Sequence, residues 1–585
     1  MSPADVIALE SKRRLNGGRD ENGEAGSVEQ HPSQPSQGRS AVVPTDGRAQ
    51  DAPVSPAAVR EAPNHELPEI CPGVEMAPTV TESIEALRAD PEVYVRGGWL
   101  TRVIESDGTD PGPKREVGAP IMRRAVHQWI TERLSMRARY MKPKTERRGK
   151  DAAEVFVQTL PPAWIAAHVL ARQTWPNFRG LSGVVTSPTM RRDGSILQDP
   201  GYDRASELLY LPRGTYGRIA GNPSREDAVV ARDRLLNVVD DFPLSDLGSA
   251  GWLSLLFTLC ARDLVDGPTP LFAIDAAVPG AGKGLLARIT HLIAYGVDIA
   301  HMSLPPNDEE MRKQLTTTLL SGDPAVLLDN VGVPIGGDSL ESLITAPLWK
   351  VRLLGKMEDS GAIAVRVVVI AAGNGLEFVG DMGRRTLRIR LDTQHESPEE
   401  RDDYKHADRA GEDKLLAWVR EHRAELAADV LTILRAWHVE GRGGTVKRWG
   451  SFESWASTIA AAVEWVGLPD PTLARATQDA ALDPQRQALA IVYEAIRRFG
   501  ADRGVSAGDL VRIAFPPQHS PSSGEDELAE AIGALTPNSR GDAPTRARLL
   551  GRKLKAGRII DGHKLSAATG AARSVRYSVA PVGRE

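Results

Sequence analysis

The fold is decided by the stretch Leu271-Phe272-Ala273-Ile274-Asp275 and by the glycine-rich run Gly280-Ala281-Gly282-Lys283-Gly284 that follows it. The first segment is short and apolar, which predicts a strand buried on both faces. The second predicts a tight turn, and the apolar spacing from Leu285 to Ile293 predicts a helix after it. A strand, a glycine-rich turn, a lysine and a helix place backbone N–H groups around phosphate oxygens at the positive end of the helix. The pattern therefore predicts a phosphate-binding loop.

This loop departs from the usual pattern G-x-x-x-x-G-K-[ST] at two positions. Ala277 stands where the first glycine belongs, and Gly284 replaces the hydroxyl residue that normally contacts Mg²⁺. We still expect Lys283 to reach the terminal phosphates of a nucleotide. The residues expected to hold the nucleotide are Pro279, Gly280, Ala281, Gly282, Lys283, Gly284 and Leu285.

A second apolar strand, from Ala325 to Asn330, ends in an acidic residue 46 positions after Lys283. At the carboxyl end of a parallel strand, Asp329 is placed to hold Mg²⁺. The next residue is usually a glutamate that orients or deprotonates the attacking water, but here it is Asn330. An amide orients water but does not accept its proton. The sequence therefore predicts nucleotide binding more strongly than rapid hydrolysis.

A third strand, from Val365 to Ala371, leads into Gly373 and Asn374. We expect Asn374 to lie between the ends of the other two strands, where an amide contacts the γ-phosphate and the attacking water. This third strand completes a set of polar strand ends. Several such ends in the right order predict a nucleotide-binding site far more specifically than the loop alone.

Basic residues flank the third strand on both sides. Before it, the residues from Val351 to Val365 predict a hairpin that projects Arg352 or Lys356. After it, Arg384 and Arg385 precede a strand from Thr386 to Leu391. An arginine at this point is placed to reach the nucleotide of a neighbouring subunit as an arginine finger, and a surface salt bridge is the alternative.

This order of motifs resembles that of superfamily 3 helicases, the hexameric AAA+ motors of viruses, phages and plasmids. It is more similar still to primase/helicase-type proteins of actinobacterial and proteobacterial phages and integrative elements. The similarity runs from about residue 90 to about residue 470. It is carried by the segments Gly280 to Ala287, Leu327 to Val331, Arg384 to Leu391, Leu415 to Arg420 and Gly450 to Trp455.

The resemblance implies an ATP-dependent DNA helicase that replicates a phage, plasmid or integrative element as a hexameric ring. It implies ATP and Mg²⁺ as cofactors and single-stranded DNA in the ring channel. By the same resemblance Lys356 is the channel residue that contacts one DNA strand. The residues that the resemblance implies at the nucleotide are Lys283, Asp329, Asn374 and either Arg384 or Arg385. By the same resemblance, Gly284 and Asn330 are features of the subgroup.

Two other functions stay open. A DNA-binding replication initiator or helicase loader would use ATP as a switch and hydrolyse it slowly, in keeping with Asn330. A primase/polymerase-helicase would need paired metal-binding carboxylates before residue 215. The acids Asp193 and Asp199 lie there in a turn-rich stretch, and we expect them to be loop residues.

Composition divides the chain into five segments. Residues 1–75 are rich in Ser, Pro, Gly, Glu and Gln and are expected to be a disordered tail. Residues 80–215 predict an α+β accessory domain, and residues 223–395 an α/β P-loop core, which the resemblance implies is of AAA+ type. A helical extension follows over residues 396–475, and a winged helix over residues 483–585. The helices expected in the extension are Leu415 to Glu421, Ala424 to Trp437 and Phe452 to Val466.

The last segment is strongly basic. Between Arg540 and Glu585 there are 11 Lys and Arg residues and 3 acidic residues, although the whole chain has a net charge of -5. Three predicted helices followed by hairpin strands resemble a winged helix, whose third helix enters the DNA major groove. A winged helix that binds protein is the alternative. The residues expected to contact duplex DNA are Arg546, Arg548, Arg552, Lys553, Lys555 and Arg558, with Lys564 on the wing.

A second basic run extends from Arg133 to Lys150 and includes Arg137, Arg139, Lys142, Lys144, Arg147 and Arg148. Such runs contact DNA phosphates less often than they simply face solvent, so a solvated surface is the favoured interpretation.

The remaining features exclude some classes of protein. The two cysteines, Cys71 and Cys260, exclude a zinc site made of thiolates and make a disulfide framework implausible. No apolar run is long enough to span a membrane, so no membrane partner is expected. These features predict a protein of the reducing cytoplasm, and the resemblance implies that of a bacterial host.

Overall fold

The structure is a computed structural model that describes residues 67–148, 151–305, 307–352, 359–393, 395, 397–475, 484–500, 503–516, 523–537, 539, 542–560, 563–569 and 575–581. The predicted tail therefore lies outside the described residues as far as residue 66. Its predicted end at residue 75 is wrong, because Glu69 and Ile70 pair with a strand that begins at Arg139. Ile70 is 1% exposed, and burying this one apolar side chain fixes a segment whose composition otherwise suggests disorder.

Short strands and three helices form the N-terminal part of the described chain, and its core is a cluster of apolar side chains from all three helices. Its elements are β1 (Glu69–Ile70), α1 (Met76–Arg88), β2 (Tyr94–Arg96), β3 (Trp99–Glu105), β4 (Pro120–Arg124), α2 (His127–Arg137), β5 (Arg139–Arg148), β6 (Asp151–Thr159), α3 (Ala163–Ala171), β7 (Arg179–Gly180), β8 (Gly183–Val185), β9 (Thr189–Met190), β10 (Ile196–Leu197), β11 (Gly201–Asp203) and β12 (Leu208–Tyr210). The predicted hairpin around Gly97 and Gly98 is confirmed, because β2 and β3 pair antiparallel.

The central part is a parallel sheet with helices packed against it. Its elements are α4 (Arg225–Val238), α5 (Asp246–Cys260), β13 (Leu271–Ala276), α6 (Lys283–Tyr295), β14 (His301–Met302), α7 (Asp308–Ser321), β15 (Ala325–Val331), α8 (Asp338–Thr345), β16 (Leu348–Arg352), β17 (Asp359–Ala364), β18 (Val368–Asn374) and β19 (Thr386–Leu391). The sheet order is β14-β15-β18-β13-β19, and all four pairings are parallel. The strands predicted from apolar runs are present, although the third runs from Val368 to Asn374.

A helical part follows and shares its core with the sheet. Its helices are α9 (Glu412–Val439), α10 (Glu453–Trp455) and α11 (Ala461–Trp465), the last two joined by a π-helical turn over Ala456–Ala460. The two helices predicted between Leu415 and Trp437 are wrong, because α9 is a single helix of 28 residues. One apolar cluster joins side chains of α4, α5, α6 and α9 to the strands of the sheet.

The C-terminal part has an apolar core of its own. Its elements are α12 (Pro484–Gly500), β20 (Val505–Ser506), α13 (Ala507–Ala514), α14 (Ser523–Leu535), α15 (Ala543–Lys553), β21 (Ile559–Ile560), β22 (His563–Thr569) and β23 (Val575–Pro581). The sequence predicted three helices here and missed α14. The predicted strands are present, and β22 pairs antiparallel with β23 over seven residue pairs.

The N-terminal part docks onto the central part through buried polar contacts. Arg115 donates from Nε and Nη2 to the two carboxylate oxygens of Asp323, both at 2.6 Å. Both side chains are at most 5% exposed. Arg96 donates to the Leu320 carbonyl at 3.1 Å. In the described parts of the chain, no helix is both long enough and apolar enough to cross a membrane.

Two arginines of the predicted basic run are occupied within the protein. Arg133 donates to both carboxylate oxygens of Asp90, at 2.8 and 2.6 Å, and Arg137 donates to one of them at 2.9 Å. The Asp90 side chain is completely buried. The solvated surface expected for this run is therefore wrong for Arg133, which is 6% exposed, and both arginines are paired with an acid 43 or more positions away in sequence.

Acid should weaken this cluster. Burial raises the pKa of Asp90, but hydrogen bonds from Arg133, the Glu92 backbone and Arg137 outweigh it, so the pKa lies below its ordinary 3.8. A carboxylate of this kind stabilises the fold above that ordinary value, and its contribution is lost as the pH falls through the lower folded pKa. We expect Asp90→Asn to cost about 3–5 kcal/mol at pH 7, because Arg133 and Arg137 lose the buried carboxylate that they share, and Arg133 keeps its ion pair with the exposed Glu92.

Urea unfolding of the wild type and the Asp90→Asn variant at pH 7 and near pH 3 would measure this. The difference in free energy of unfolding should shrink towards the lower pH. An equal difference at both pH values would contradict the electrostatic origin of the effect.

Candidate functional site at the carboxyl edge of the central sheet

The predicted polar residues meet at one edge of the central sheet. Because the strands are parallel, their carboxyl ends lie on the same side, where ligands of open α/β sheets bind. Strand β18 lies between β15 and β13. Asn374 therefore ends the strand between the one that carries Asp329 and the one that leads into the glycine-rich turn, as the sequence predicted.

The turn between β13 and α6 needs glycine for two physical reasons. Gly280 has φ +72° and Gly282 has φ +84°, a backbone region that side chains disfavour. A Cβ atom on Gly282 would also lie 2.9 Å from the Phe242 ring, which is closer than real contacts allow. Phe242 could not be predicted from the sequence, because its contact with the turn spans 40 positions.

The first turn of α6 has N–H groups that no side chain caps. Helix α6 begins after Gly282 without a side-chain cap, as α1, α2, α3, α8 and α9 also do, whereas α4, α5, α7, α13 and α15 begin at a Ser, Asn or Asp whose side chain accepts a backbone hydrogen bond. Uncapped N–H groups at a helix start favour an anion. The Lys283 ammonium donates to the Val278 carbonyl at 3.2 Å, which keeps it folded over the same turn.

The environment of Lys283 combines burial and an acid. Partial burial lowers the pKa of the Lys283 ammonium, while Asp275 acts in the opposite direction. Asp275 is 4% exposed and lies on β13, directly behind the turn. A cation held over uncapped N–H groups makes this turn positive, which suits a polyanionic ligand.

Asp329 faces the start of α6. An ideal Cβ atom built on Gly284 lies 4.0 Å from Oδ1 of Asp329. A hydroxyl residue at position 284 would therefore stand beside the carboxylate, so the absent hydroxyl and the acid belong to one site. Asp329 is exposed at the strand end.

Asn330 lies in an irregular part of β15. The pairing between β15 and β18 shifts register between Leu328 and Val331, and Asn330 has φ +50°. Asparagine adopts this left-handed conformation more readily than most residues, including glutamate. The backbone at this position thus gives a local reason for an asparagine where a glutamate is usual.

Asn374 lies directly beside the glycine-rich turn. It pairs with Ala276, the last residue of β13, and the Gly375 N–H donates to the Ala276 carbonyl at 3.0 Å. The side chain is exposed at the sheet edge. Any ligand seated on the turn therefore has this amide as a neighbour.

Two further residues hold the loop that follows Asn374. Asp275 Oδ1 accepts a hydrogen bond from the Leu376 N–H at 3.0 Å, and Arg388 Nη2 donates to the Leu376 carbonyl at 2.7 Å. The Asp275 and Arg388 side chains approach to 3.6 Å. The sequence offered one signal for this clamp, since Asp275 is a charge at the end of an otherwise apolar strand.

The two arginines after the third strand have different surroundings. Arg385 is 15% exposed and forms ion pairs with Glu341 at 3.2 Å and with Asp381 at 3.0 Å. Arg384 is 58% exposed and pairs with Asp381. Arg384 is therefore the member of the pair with a side chain free to extend from the surface.

The predicted hairpin is confirmed, because β16 and β17 pair antiparallel from Leu348 and Ala364 onward. Arg352 is the last residue of β16. Lys356, the residue expected in a channel, lies outside the described residues.

The basic residues of the C-terminal part cluster on α15 and the turn after it. Arg548, Arg552, Lys553, Lys555 and Arg558 are exposed. Arg546 is half-buried, and its guanidinium lies 3.9 Å from the centre of the Phe515 ring. The acids Asp193 and Asp199 are loop residues, since Asp193 accepts hydrogen bonds from Ser195 and Asp199 pairs with Arg218.

No protein-family model matches the chain, and no curated protein matches it. Among solved structures, the NrS-1 C-terminal region aligns with 77% of this chain and 98% of its own at 12% identity and a TM-score of 0.30. The active helicase SCCmec type IV Cch aligns with 84% of this chain and 97% of its own at 9% identity and a TM-score of 0.32. JCV helicase aligns with 42% of this chain and 67% of its own at 14% identity and a TM-score of 0.19.

Helicases are thus among the structures that the chain resembles, at low similarity. Because identities are at most 14% and TM-scores at most 0.32, the function rests on the geometry of the site.

Proposed function

We propose that this protein is an ATP-dependent DNA helicase that works as a ring, in the manner of superfamily 3 motors, to replicate a mobile element. The observation that carries the proposal is the convergence of three groups at one sheet edge. These are the uncapped turn with Lys283, the Asp329 carboxylate facing Gly284, and the Asn374 amide beside Ala276. Phosphoryl transfer depends mainly on positioning and charge stabilisation, and these groups supply both.

The residues present fit ATP with Mg²⁺. The N–H groups of residues 280–285 and Lys283 would hold the phosphates, and Asp329 would hold the metal ion. Mg²⁺ would supply neutralisation of charge that develops on the phosphate oxygens. Gly284 contributes no hydroxyl, so the protein's share of the metal shell would rest on Asp329.

The remaining residues would act by orientation. Asn330 and Asn374 carry amides that hold water in a fixed position, and neither accepts its proton at neutral pH. The Asp275–Arg388 clamp on Leu376 would fix Asn374, because it holds the loop immediately after that residue. Arg384 would complete the site of an adjacent subunit, since it is the exposed member of its pair.

DNA would be contacted at two places. The β16–β17 hairpin would carry Arg352 and Lys356 into the ring channel against a single strand. The C-terminal part would bind duplex DNA as a winged helix, through exposed basic residues of α15 that mainly meet phosphates. Its positive charge supports DNA over protein as the partner.

Unwinding by the full-length chain tests the proposal. We expect ATP turnover to rise when single-stranded or forked DNA is added, and a labelled strand to be displaced from a forked duplex in the presence of ATP and Mg²⁺. Mass measurement with nucleotide should give a closed oligomer. ATP turnover that ignores DNA, together with no strand displacement, would contradict the motor.

A second function is favoured by one observation. Asn330 takes the place of the usual glutamate in a backbone conformation that suits asparagine, so slow hydrolysis could be built into the strand end. The protein would then be an ATP-switched replication initiator or helicase loader. This function predicts DNA binding that depends on ATP, with turnover too slow to drive unwinding.

The missing hydroxyl provides a gain-of-function prediction. A threonine at position 284 would place its side chain next to Asp329, because the Cβ position lies 4.0 Å from Oδ1. One added oxygen contact of about 1 kcal/mol should lower the Mg²⁺ concentration that gives half-maximal ATP turnover by about fivefold. Gly284→Val, which has nearly the same shape without the hydroxyl, is the control. Equal Mg²⁺ dependence of the two variants would contradict the assignment.

A further inference from the structure

The hairpin formed by β5 and β6 extends beyond the sheet that supports its base. The two strands pair from Tyr140 and Thr159 out to Arg148 and Asp151. Strand β1 pairs only with Arg139 and Tyr140, so in the described part of the chain the rest of this hairpin is a two-stranded ribbon. We call residues 141–148 and 151–158 the ribbon. An isolated two-stranded hairpin is only marginally stable in water. A bound partner would stabilise the ribbon.

The ribbon presents its side chains to solvent on both faces. Lys142, Lys144 and Arg147 are exposed, and Phe156 is 55% exposed. Successive side chains of a strand alternate between faces. Lys142 and Lys144 therefore lie on one face and Arg147 on the other, with Phe156 on the same face as Arg147 because it pairs with Pro143.

The hairpin has a net positive charge. Residues 139–159 contain six basic and three acidic residues, whereas residues 67–138 contain nine basic and eleven acidic residues. The ion pair between Lys144 and Glu146 on the ribbon, at 3.7 Å, is exposed. Exposed pairs of this kind are worth about 0–1 kcal/mol, so the cations remain available to a polyanion.

We propose that the ribbon is a contact surface for duplex DNA, separate from the channel hairpin and from the C-terminal part. A two-stranded ribbon fits the major groove of B-form DNA, which is about 12 Å wide. Basic side chains on both faces suit a groove, because a groove has phosphates along both walls. This inference rests on the proposed function for its choice of DNA as the polyanion.

The ribbon would then hold the duplex as a clamp of the N-terminal part. Contacts with phosphates give affinity and a strong salt dependence without sequence preference. The exposed Phe156 would contact the sugar or base edges that the same groove presents. Arg133 and Arg137 take no part, since Asp90 holds them in the domain core.

Salt-dependent binding by the full-length chain tests the proposal. The test variant combines Lys142→Ala, Lys144→Ala and Arg147→Ala. The control variant removes three exposed arginines of the same part of the chain, by Arg172→Ala, Arg204→Ala and Arg218→Ala. Affinity for a fluorescent blunt duplex is measured from about 50 to 200 mM salt, and thermal unfolding checks that both variants are folded.

The expected result is at least about tenfold weaker duplex binding by the test variant at about 100 mM salt. The slope of log K against log salt should also become shallower by about 2 to 3, at roughly 0.9 for each phosphate that the variant no longer neutralises. The control variant should keep both values. A shallower slope with an unchanged unfolding temperature indicates direct phosphate binding and not a damaged fold.

Three outcomes would overturn the proposal. They are an unchanged salt slope, a loss confined to single-stranded DNA, or unchanged duplex affinity with a change of oligomer mass. The last would mean that the ribbon binds another copy of the chain. DNA-stimulated ATP turnover of the wild type is measured in the same preparations. If DNA does not stimulate ATP turnover but the test variant binds duplex DNA more weakly as expected, only the proposed helicase function is contradicted. If DNA stimulates ATP turnover but the test variant binds duplex DNA as the wild type does, only the ribbon proposal is contradicted.

Discussion

Lys283→Ala should reduce ATP turnover at least about 100-fold, the usual cost of removing one donor that stabilises charge in a transition state. The reason is local, because Lys283 supplies the side-chain cation of the glycine-rich turn and sits at the start of α6. Strand displacement should be lost together with turnover, since the proposed motor has no other source of work. Steady-state turnover and a forked-duplex assay on the same preparations would measure both effects.

The fold should survive the loss of Lys283. Its ammonium makes one hydrogen bond, to the Val278 carbonyl at 3.2 Å, and a single bond of this kind is worth about 1 kcal/mol. Lys414→Ala, which removes an exposed lysine of α9, is the matched control and should keep wild-type turnover. If Lys283→Ala turned over ATP as the wild type does, the turn would not be a nucleotide site and the motor would fall with it.

The strands of the central sheet could be predicted from the sequence because their residues are buried on both faces. Parallel strands in this position are runs of apolar residues, and β13, β15 and β19 match such runs within a residue or so. The strand order could not be obtained in this way. Apart from the β14–β15 pair, it follows from pairings between residues more than 40 positions apart, and it is the order that places Asn374 beside the turn.

Two of the failed predictions share a physical cause, which is a polar residue with a distant partner. His422 and Arg423 lie between the two predicted helices, yet α9 continues through them. Arg423 is 6% exposed and donates to the Ile293 and Thr186 carbonyls, both at 3.3 Å. Arg133 resembles a surface charge in the same way, because nothing local in the sequence points to Asp90.

Some residues of the candidate site could be predicted from the sequence and others could not. Lys283, Asp329 and Asn374 each end or begin a predicted element, so their positions follow from the element that carries them. Phe242, Asp275 and Arg388 contribute through packing and hydrogen bonds that connect separate elements. Only the charge of Asp275 in an apolar strand gives a sign of its role.

Asp329→Asn should be the second severe substitution, again lowering ATP turnover at least about 100-fold. The carboxylate is the acidic group at the strand end that faces Gly284, at 4.0 Å from its Cβ position. Because position 284 has no hydroxyl, Asp329 has no side-chain partner there to share the binding of Mg²⁺. Asparagine keeps the size of the side chain and removes its charge, so the fold should be retained.

The defect has a signature that separates it from that of Lys283→Ala. If Asp329 holds Mg²⁺, the Asp329→Asn variant should still bind a fluorescent ATP analogue without the metal, whereas Lys283→Ala should bind it weakly under all conditions. Asp338→Asn, which removes an exposed acid from the first turn of α8, is the matched control and should keep its turnover. Asp329→Asn with wild-type turnover at every Mg²⁺ concentration would mean that the metal is held elsewhere, and the sheet edge would lose its catalytic assignment.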